Sequence, residues 1–228
     1  MSRAAEVAAS ARPVLLFRAG ASLVLCTLFV LAAMLWLDRP IALFMHEHFG
    51  GVASLAWLGS IPNPFPILAA LVFLGFGAMA LSGRRPGEFT DVMLRAAFSL
   101  VAAVTINTQL KALVGRTWPE TWFHGNPSFI RDGVYAFFPY HGGLAFQAFP
   151  SGHMTSICAV IAVLWVRWPR GRWCYALAVA LVAAILIGAD MHWLSDVIAG
   201  AYVGTGTGLI AASFRRPALG ETARSSAD

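Results

Sequence analysis

At 228 residues the chain is 58% hydrophobic and only 12% charged, with a mean hydropathy of +0.70. A water-soluble domain carries about 25% charged residues, so the composition excludes one and points to a single membrane-embedded domain over 1–228. The pI near 9.6 invites a nucleic-acid reading, but the arginines cluster between apolar runs, where membrane topology accounts for them. No nucleic-acid partner is expected.

In chain order, 1–18 carries Arg3, Arg12 and Arg18 ahead of a long apolar run. A signal peptide would close on a small-residue cleavage site. This run closes on Trp36-Leu37-Asp38-Arg39-Pro40, so 19–37 is predicted as a first transmembrane helix behind a cytoplasmic segment. Residues 41–64 mix apolar and polar positions and are punctuated by Pro62 and Pro64, so interfacial or re-entrant pieces are expected there. A second span falls at 65–81 and a third at 94–114. Thr105, Asn107, Thr108 and Gln109, near the far end of the third, are expected to face the bundle interior. The stretch 115–150 has no run able to cross a bilayer, which takes about 20 apolar residues. Spans at 151–168, 173–189 and 197–214 follow, and the small, polar tail 217–228 is predicted to be disordered. The expected fold class is all-α: six transmembrane helices with a long outer loop.

Six spans place both termini on one side. With the N-terminus in the cytoplasm, twelve of the 16 basic residues fall inside, and only Arg39, Lys111, Arg116 and Arg131 fall outside. That is a strong positive-inside bias. All six histidines then lie on the outer side, so the chemistry is expected to face outward from a bacterial-type cytoplasmic membrane. The three cysteines (Cys26, Cys158, Cys174) lie within apolar runs and read as small buried hydrophobes.

Three polar segments interrupt the pattern: Lys111-Ala-Leu-Val-Gly-Arg116-Thr-Trp-Pro119, Pro150-Ser-Gly-His153, and His192-Trp-Leu-Ser-Asp196. Ser151 is a good N-cap for the fourth span, a purely structural role. The same helix mouth is also an anion site, with Gly152 allowing close approach to the backbone and His153 placed to act as a general acid. His192 and Asp196 stand four apart, on one helical face. They form either a satisfied structural pair or a nucleophile with the carboxylate that fixes its tautomer. The second is favoured because an ionisable group at a membrane span is functional by default. Asp190 and Ser195 nearby read as capping or solvent residues. Lys111 and Arg116 could be snorkelling interfacial cations, yet outer cations are scarce, and a phosphate would supply their counter-charge. His46, Glu47, His48, His124 and His141 fit no metal-ligand spacing, and no metal or cofactor is predicted.

These segments, in this order, resemble the membrane type 2 phosphatidic acid phosphatases, within the superfamily of bacterial acid phosphatases and vanadium haloperoxidases. The family pattern is K-x6-R-P, then P-S-G-H, then S-R-x5-H-x3-D, and the resemblance covers about 95–210. It implies a phosphate-binding role for Lys111, an anion-binding turn at Ser151 and Gly152, a general acid in His153, a nucleophile in His192 and an orienting carboxylate in Asp196. It also implies metal-free chemistry through a phosphohistidine. Two family arginines are missing: their positions hold Trp118 and Leu186, the latter preceded by Ile185. Arg116, with Arg131 on the outer loop, is expected to fill part of that vacancy.

The expected activity is removal of phosphate from a lipid phosphate or pyrophosphate at the outer membrane face. The alternatives are a lipid-to-lipid phosphotransferase and a catalytically degenerate lipid-phosphate binder. The aromatic loop residues Trp118, Trp122, Phe123, Phe129, Tyr135, Phe137, Phe138 and Tyr140 read as a lipid-contacting lid or as interfacial anchors. Gly200, Gly204 and Gly208 repeat every four residues, as tight helix packing requires. Oligomeric state is not legible.

Overall fold

The computed structural model describes residues 3–49 (side chains from Pro13), 64–121 and 125–214. The helices are α1 (Arg3–Ala32), a π-helical turn (Ala33–Leu37), α2 (Asp38–Phe49), α3 (Phe65–Leu81), α4 (Glu88–Val114), short α5 (Phe129–Asp132), α6 (Gly152–Arg167), α7 (Arg172–Gly188) and α8 (Leu194–Ser213). The protein is all-α. Among the described residues four segments are long and apolar enough to cross a membrane: Pro13–Phe49, Glu88–Val114, Pro169–Gly188 and Leu194–Ser213. The apolar α3 and α6 have 17 and 16 residues, about 25 Å of helix against a hydrocarbon core of about 30 Å.

The first predicted span was expected to end before Pro40, with interfacial pieces following. Instead the helix runs on through Pro40 to Phe49. A proline inside a helix lacks one N–H and crowds the carbonyl four residues back. Here the turn just before it widens, and the Asp38 N–H bonds the Ala33 carbonyl five residues back, so the chain absorbs the proline without breaking. The remainder of that expectation (50–63), the tail after Arg216, and Trp122, Phe123 and His124 lie outside the described residues.

The centre of the bundle is α8 packed along α6. A Cβ on Gly200 would stand 2.5 Å from the Ser151 carbonyl, one on Gly208 2.5 Å from the Ala162 Cβ, and one on Gly204 would strike the Thr155 carbonyl. The four-residue glycine repeat therefore packs inside the chain. α4 lies across both helices, with the Ser99 hydroxyl donating to the Ala159 carbonyl of α6 at 3.0 Å and to Thr207 of α8 at 3.3 Å. Of the four polar residues expected to face inward on α4, only Asn107 is buried. Thr105 donates to the Val101 carbonyl one turn back at 2.9 Å on an exposed face, whereas Thr108, bonded to the Val104 carbonyl at 2.9 Å, lines an open cavity beside Asn107. The cysteines also divide: Cys158 is buried, Cys174 exposed and all three are free thiols.

The two ends of the bundle differ. At one end Arg95 pairs with Asp91 and donates to the Ala211 and Phe214 carbonyls that finish α8, with Arg167 beside Asp91. The opposite end collects Lys111, Arg116, His153 and His192, covered by the 115–150 loop. Gly115 turns the chain there at φ +59°, and a side chain on it would run into the Phe138 backbone. That excludes any other residue at this corner.

Candidate active site

α6 starts at Gly152, capped by the Ser151 hydroxyl, which accepts the Met154 N–H at 3.4 Å. The Ser151 N–H is spent on the Asp196 carbonyl at 3.0 Å. Asn107 of α4 fixes the same turn, donating to the Pro150 carbonyl and to Thr155 Oγ1. Ser151 is therefore a fully buried structural cap, and Gly152 and His153 present the helix mouth to the cavity beside it.

That cavity, of about 300 Å³, is lined by Pro66, Val104, Asn107, Thr108, Lys111, Trp118, Gln147, Gly152, His153, Ser156 and His192. Lys111 Nζ donates to the Gln147 carbonyl at 2.7 Å and stands 3.8 Å from where a Gly152 Cβ would be. The missing side chain thus opens space directly before the ammonium. The His153 and His192 rings cross edge to face, with centroids 6.2 Å apart.

His192 sits in the turn before α8. Its backbone N–H and that of Met191 both bond the Leu186 carbonyl at 3.0 Å, and Asp190 takes a left-handed φ of +54°. His192 Nδ1 faces Asp196 Oδ2 at 3.4 Å, and the same oxygen accepts the Trp193 N–H at 3.1 Å. A proton on Nδ1 suits the carboxylate it faces, and that tautomer leaves Nε2 with its lone pair. Burial pushes the His192 pKa below its ordinary value and the Lys111 ammonium adds to this, against the opposing pull of Asp196.

The arginines do not do what the sequence suggested. Arg116 is absent from the cavity wall and is 1% exposed. Its Nη1 donates to Asp196 Oδ1 at 2.5 Å and to Ser195 Oγ at 2.6 Å, while Nη2 donates to Asp38 Oδ2 at 2.6 Å and Tyr135 at 2.7 Å. With the Tyr135, Phe137 and Trp193 rings about it, the guanidinium has its counter-charges already. Burial alone would lower its pKa, but the two carboxylates hold it above the ordinary value. Arg131 lies on α5, half exposed, bonded to Asp132 and to the Gly125 and Asn126 carbonyls. The loop does not bring it to the cavity.

Other expectations also change. Ser195 and Asp190 are buried rather than solvated, Ser195 against Asp38 and Arg116, and Asp190 2.9 Å from His46 Nδ1. Trp118 lines the cavity between Lys111 and His192, with ring distances of 5.7 and 5.0 Å. Phe129 and Tyr135 pack inward on Trp193, whereas Phe137, Phe138 and Tyr140 are exposed. Leu186 is wholly buried in the apolar core with Met154, Val182 and Val197. Among the described residues no group of three His, Cys, Asp or Glu side chains converges as a cation site. Asp38 and Tyr135 were missed, although an aspartate ending an apolar run should have prompted a search for its partner.

A buried histidine beside a carboxylate, a second histidine across a cavity and a lysine near a helix mouth are the side-chain types that can supply a nucleophile, an acid and an anion anchor. The family comparison agrees: the PAP2 superfamily model matches residues 92–218, and the chain belongs to that superfamily. Among curated proteins it is similar to a lipid A 1-phosphatase of Rhizobium johnstonii, 35% identical over 117 residues, covering 50% of this chain and 44% of the relative. It is also similar to a lipid A 1-phosphatase of Rhizobium etli, 39% identical over 93 residues, covering 40% and 36% respectively. The chain thus spans less than half the length of these curated relatives. No solved structure matches it.

Proposed function

We propose that the protein is a lipid-phosphate phosphatase working through a phosphohistidine. The observation that carries this is the convergence of Lys111, Gly152, His153 and His192 on one cavity, at one end of a bundle of apolar helices. Lys111 and the α6 mouth hold the phosphate. His192 Nε2 attacks phosphorus as the bond to the lipid oxygen breaks, and His153 gives that oxygen its proton. Water, giving a proton to His153, then attacks phosphorus as the phosphorus–Nε2 bond breaks, releasing phosphate and restoring His192. Pro66 and Val104 on the wall suit a substrate whose phosphate is attached to an apolar body. The relatives' names make a lipid A 1-phosphate the first substrate to try. The twelve-to-four split of basic residues supports an outer-side position for this end of the bundle in a bacterial cytoplasmic membrane, with both termini inside.

The test is phosphate release by purified protein in detergent, over lipid phosphates, lipid pyrophosphates and water-soluble phosphate esters, with and without EDTA. Release from lipids that persists in EDTA is expected, because nucleophile, acid and phosphate anchor are all side chains. Transfer of the phosphoryl group to a second lipid without release would assign a phosphotransferase instead.

The pH profile is a separate expectation. The nucleophile works as the neutral imidazole, and its pKa is lowered. It therefore stays neutral as pH falls past the ordinary histidine value of about 6.5. The acid limb of kcat/KM is expected below that value; a limb at or above it would contradict the burial argument.

A further inference from the structure

The family-matched stretch begins at Val92, yet the N-terminal helix sends a carboxylate into the site from outside that stretch. We propose that Asp38 is a positioning residue for the phosphoryl transfer: through Arg116 and Ser195 it fixes the Asp196 carboxylate that orients His192. The inference rests on the reading of His192 as the nucleophile.

Asp196 divides its two oxygens. Oδ2 serves His192 and the Trp193 N–H, and Oδ1 is gripped by Arg116. Held only at that end, the guanidinium could swing and carry the carboxylate away from the imidazole. Asp38 takes the other end of the planar fork, at 2.6 Å from Nη2, so a rigid, two-ended clamp replaces a pivot. Asp38 also accepts from the Ser195 N–H at 3.0 Å and the Ser195 hydroxyl at 2.5 Å, anchoring the backbone one residue before Asp196. Asp38, Arg116, Ser195 and Asp196 are each at most 1% exposed, so no water is at hand to substitute for a lost partner. The π-turn carries Asp38 on its C-terminal edge, and the Tyr135 hydroxyl sits at 2.9 Å from the Met34 carbonyl and 3.1 Å from Asp38. Wide helical turns of this kind gather at functional sites.

The competing account is that Asp38 merely caps α8 from a neighbouring helix. Asn separates the two, because it caps as well as Asp but carries no charge. In steady-state assays Asp38→Asn is expected to lower kcat by about 10- to 100-fold, the usual cost of removing an outer partner. KM should stay within about threefold, since no phosphate contact is touched. Added to Asp196→Asn, it should cost nothing more, because both act on one carboxylate. Ser22→Ala removes a 3.0 Å bond from the same helix to Tyr202 of α8 and should leave kcat unchanged. Wild-type kcat in Asp38→Asn, with His192→Ala dead, overturns the inference and leaves the phosphatase reading standing. If Asp38→Asn does not fold, Arg116→Lys keeps the charge but not the fork: a similar fall in kcat supports the clamp, and wild-type kcat overturns it. Wild-type protein no faster than His192→Ala overturns the phosphatase reading instead. The ring-nitrogen resonance of His192, identified by its loss in His192→Ala, then decides: it shifts in Asp38→Asn if Asp38 acts on that ring, and an unmoved signal overturns the inference.

Discussion

His192→Ala is expected to abolish phosphate release, lowering kcat by about 10⁴-fold or more, or at least about 5.5 kcal/mol of transition-state stabilisation. Among the described residues on the cavity wall, His192 stands beside the Asp196 carboxylate, which suits it to the nucleophile's role. His153, across the cavity, lies 6.2 Å away centroid to centroid and is placed for the leaving oxygen. With the nucleophile gone, Lys111 and the α6 mouth still hold phosphate, so affinity for an unreactive phospholipid analogue should change little. A binder without catalysis predicts equal affinity as well, but also no release from the wild type, so turnover separates the readings. Quenching wild-type protein in base during turnover should trap protein-bound phosphate that acid then releases, as a phosphorus–nitrogen bond requires. The trapped phosphate should be missing from His192→Ala. A variant that retains wild-type release would remove His192 from the chemistry altogether.

The apolar runs were legible because burial in lipid leaves a long, uniform signature, and the five later predicted spans coincide with helices that begin and end within a few residues of their predicted limits, save that α4 starts at Glu88. Pro40 misled because proline is read locally, whereas the chain met it with a wider turn. The polar face of α4 misled in part for a related reason: Thr105 satisfies itself on its own helix and stays exposed, so polarity alone does not mark the inward face. Lys111, Gly152, His153, His192 and Asp196 were singled out as candidates because each sits near a helix end beside another member, and the structure brings the first four to one cavity with Asp196 beside His192. The role of Arg116 was not legible. Its partners, Asp38 and Asp196, are 78 and 80 residues away in sequence, and no local pattern distinguishes a guanidinium held by two buried carboxylates from one awaiting a phosphate. Removing one member of such a buried pair costs about 3–5 kcal/mol in general, so loss of Arg116 would test stability before it tested phosphate binding.

Lys111→Ala is expected to cost about 10²- to 10³-fold in kcat/KM, more than one charge-assisted bond of about 1.5–3 kcal/mol would suggest. Where the family pattern has two further arginines, this chain has Trp118, whose ring faces Lys111 and His192, and Leu186, sealed in the apolar core. Among the residues lining the cavity Lys111 is the one lysine or arginine, and Arg116 is committed elsewhere. The developing charge on the phosphoryl oxygens therefore falls on one ammonium and the start of α6. That ammonium is fixed by the Gln147 carbonyl at 2.7 Å, which aims it at the space left by Gly152. Lys111→Arg should restore the charge without the rate, because a planar fork longer than the lysine it replaces must push past Trp118 to reach the same oxygens. Full activity in Lys111→Ala would mean that the phosphate binds outside this cavity, since among the described residues no second lysine or arginine lines its wall.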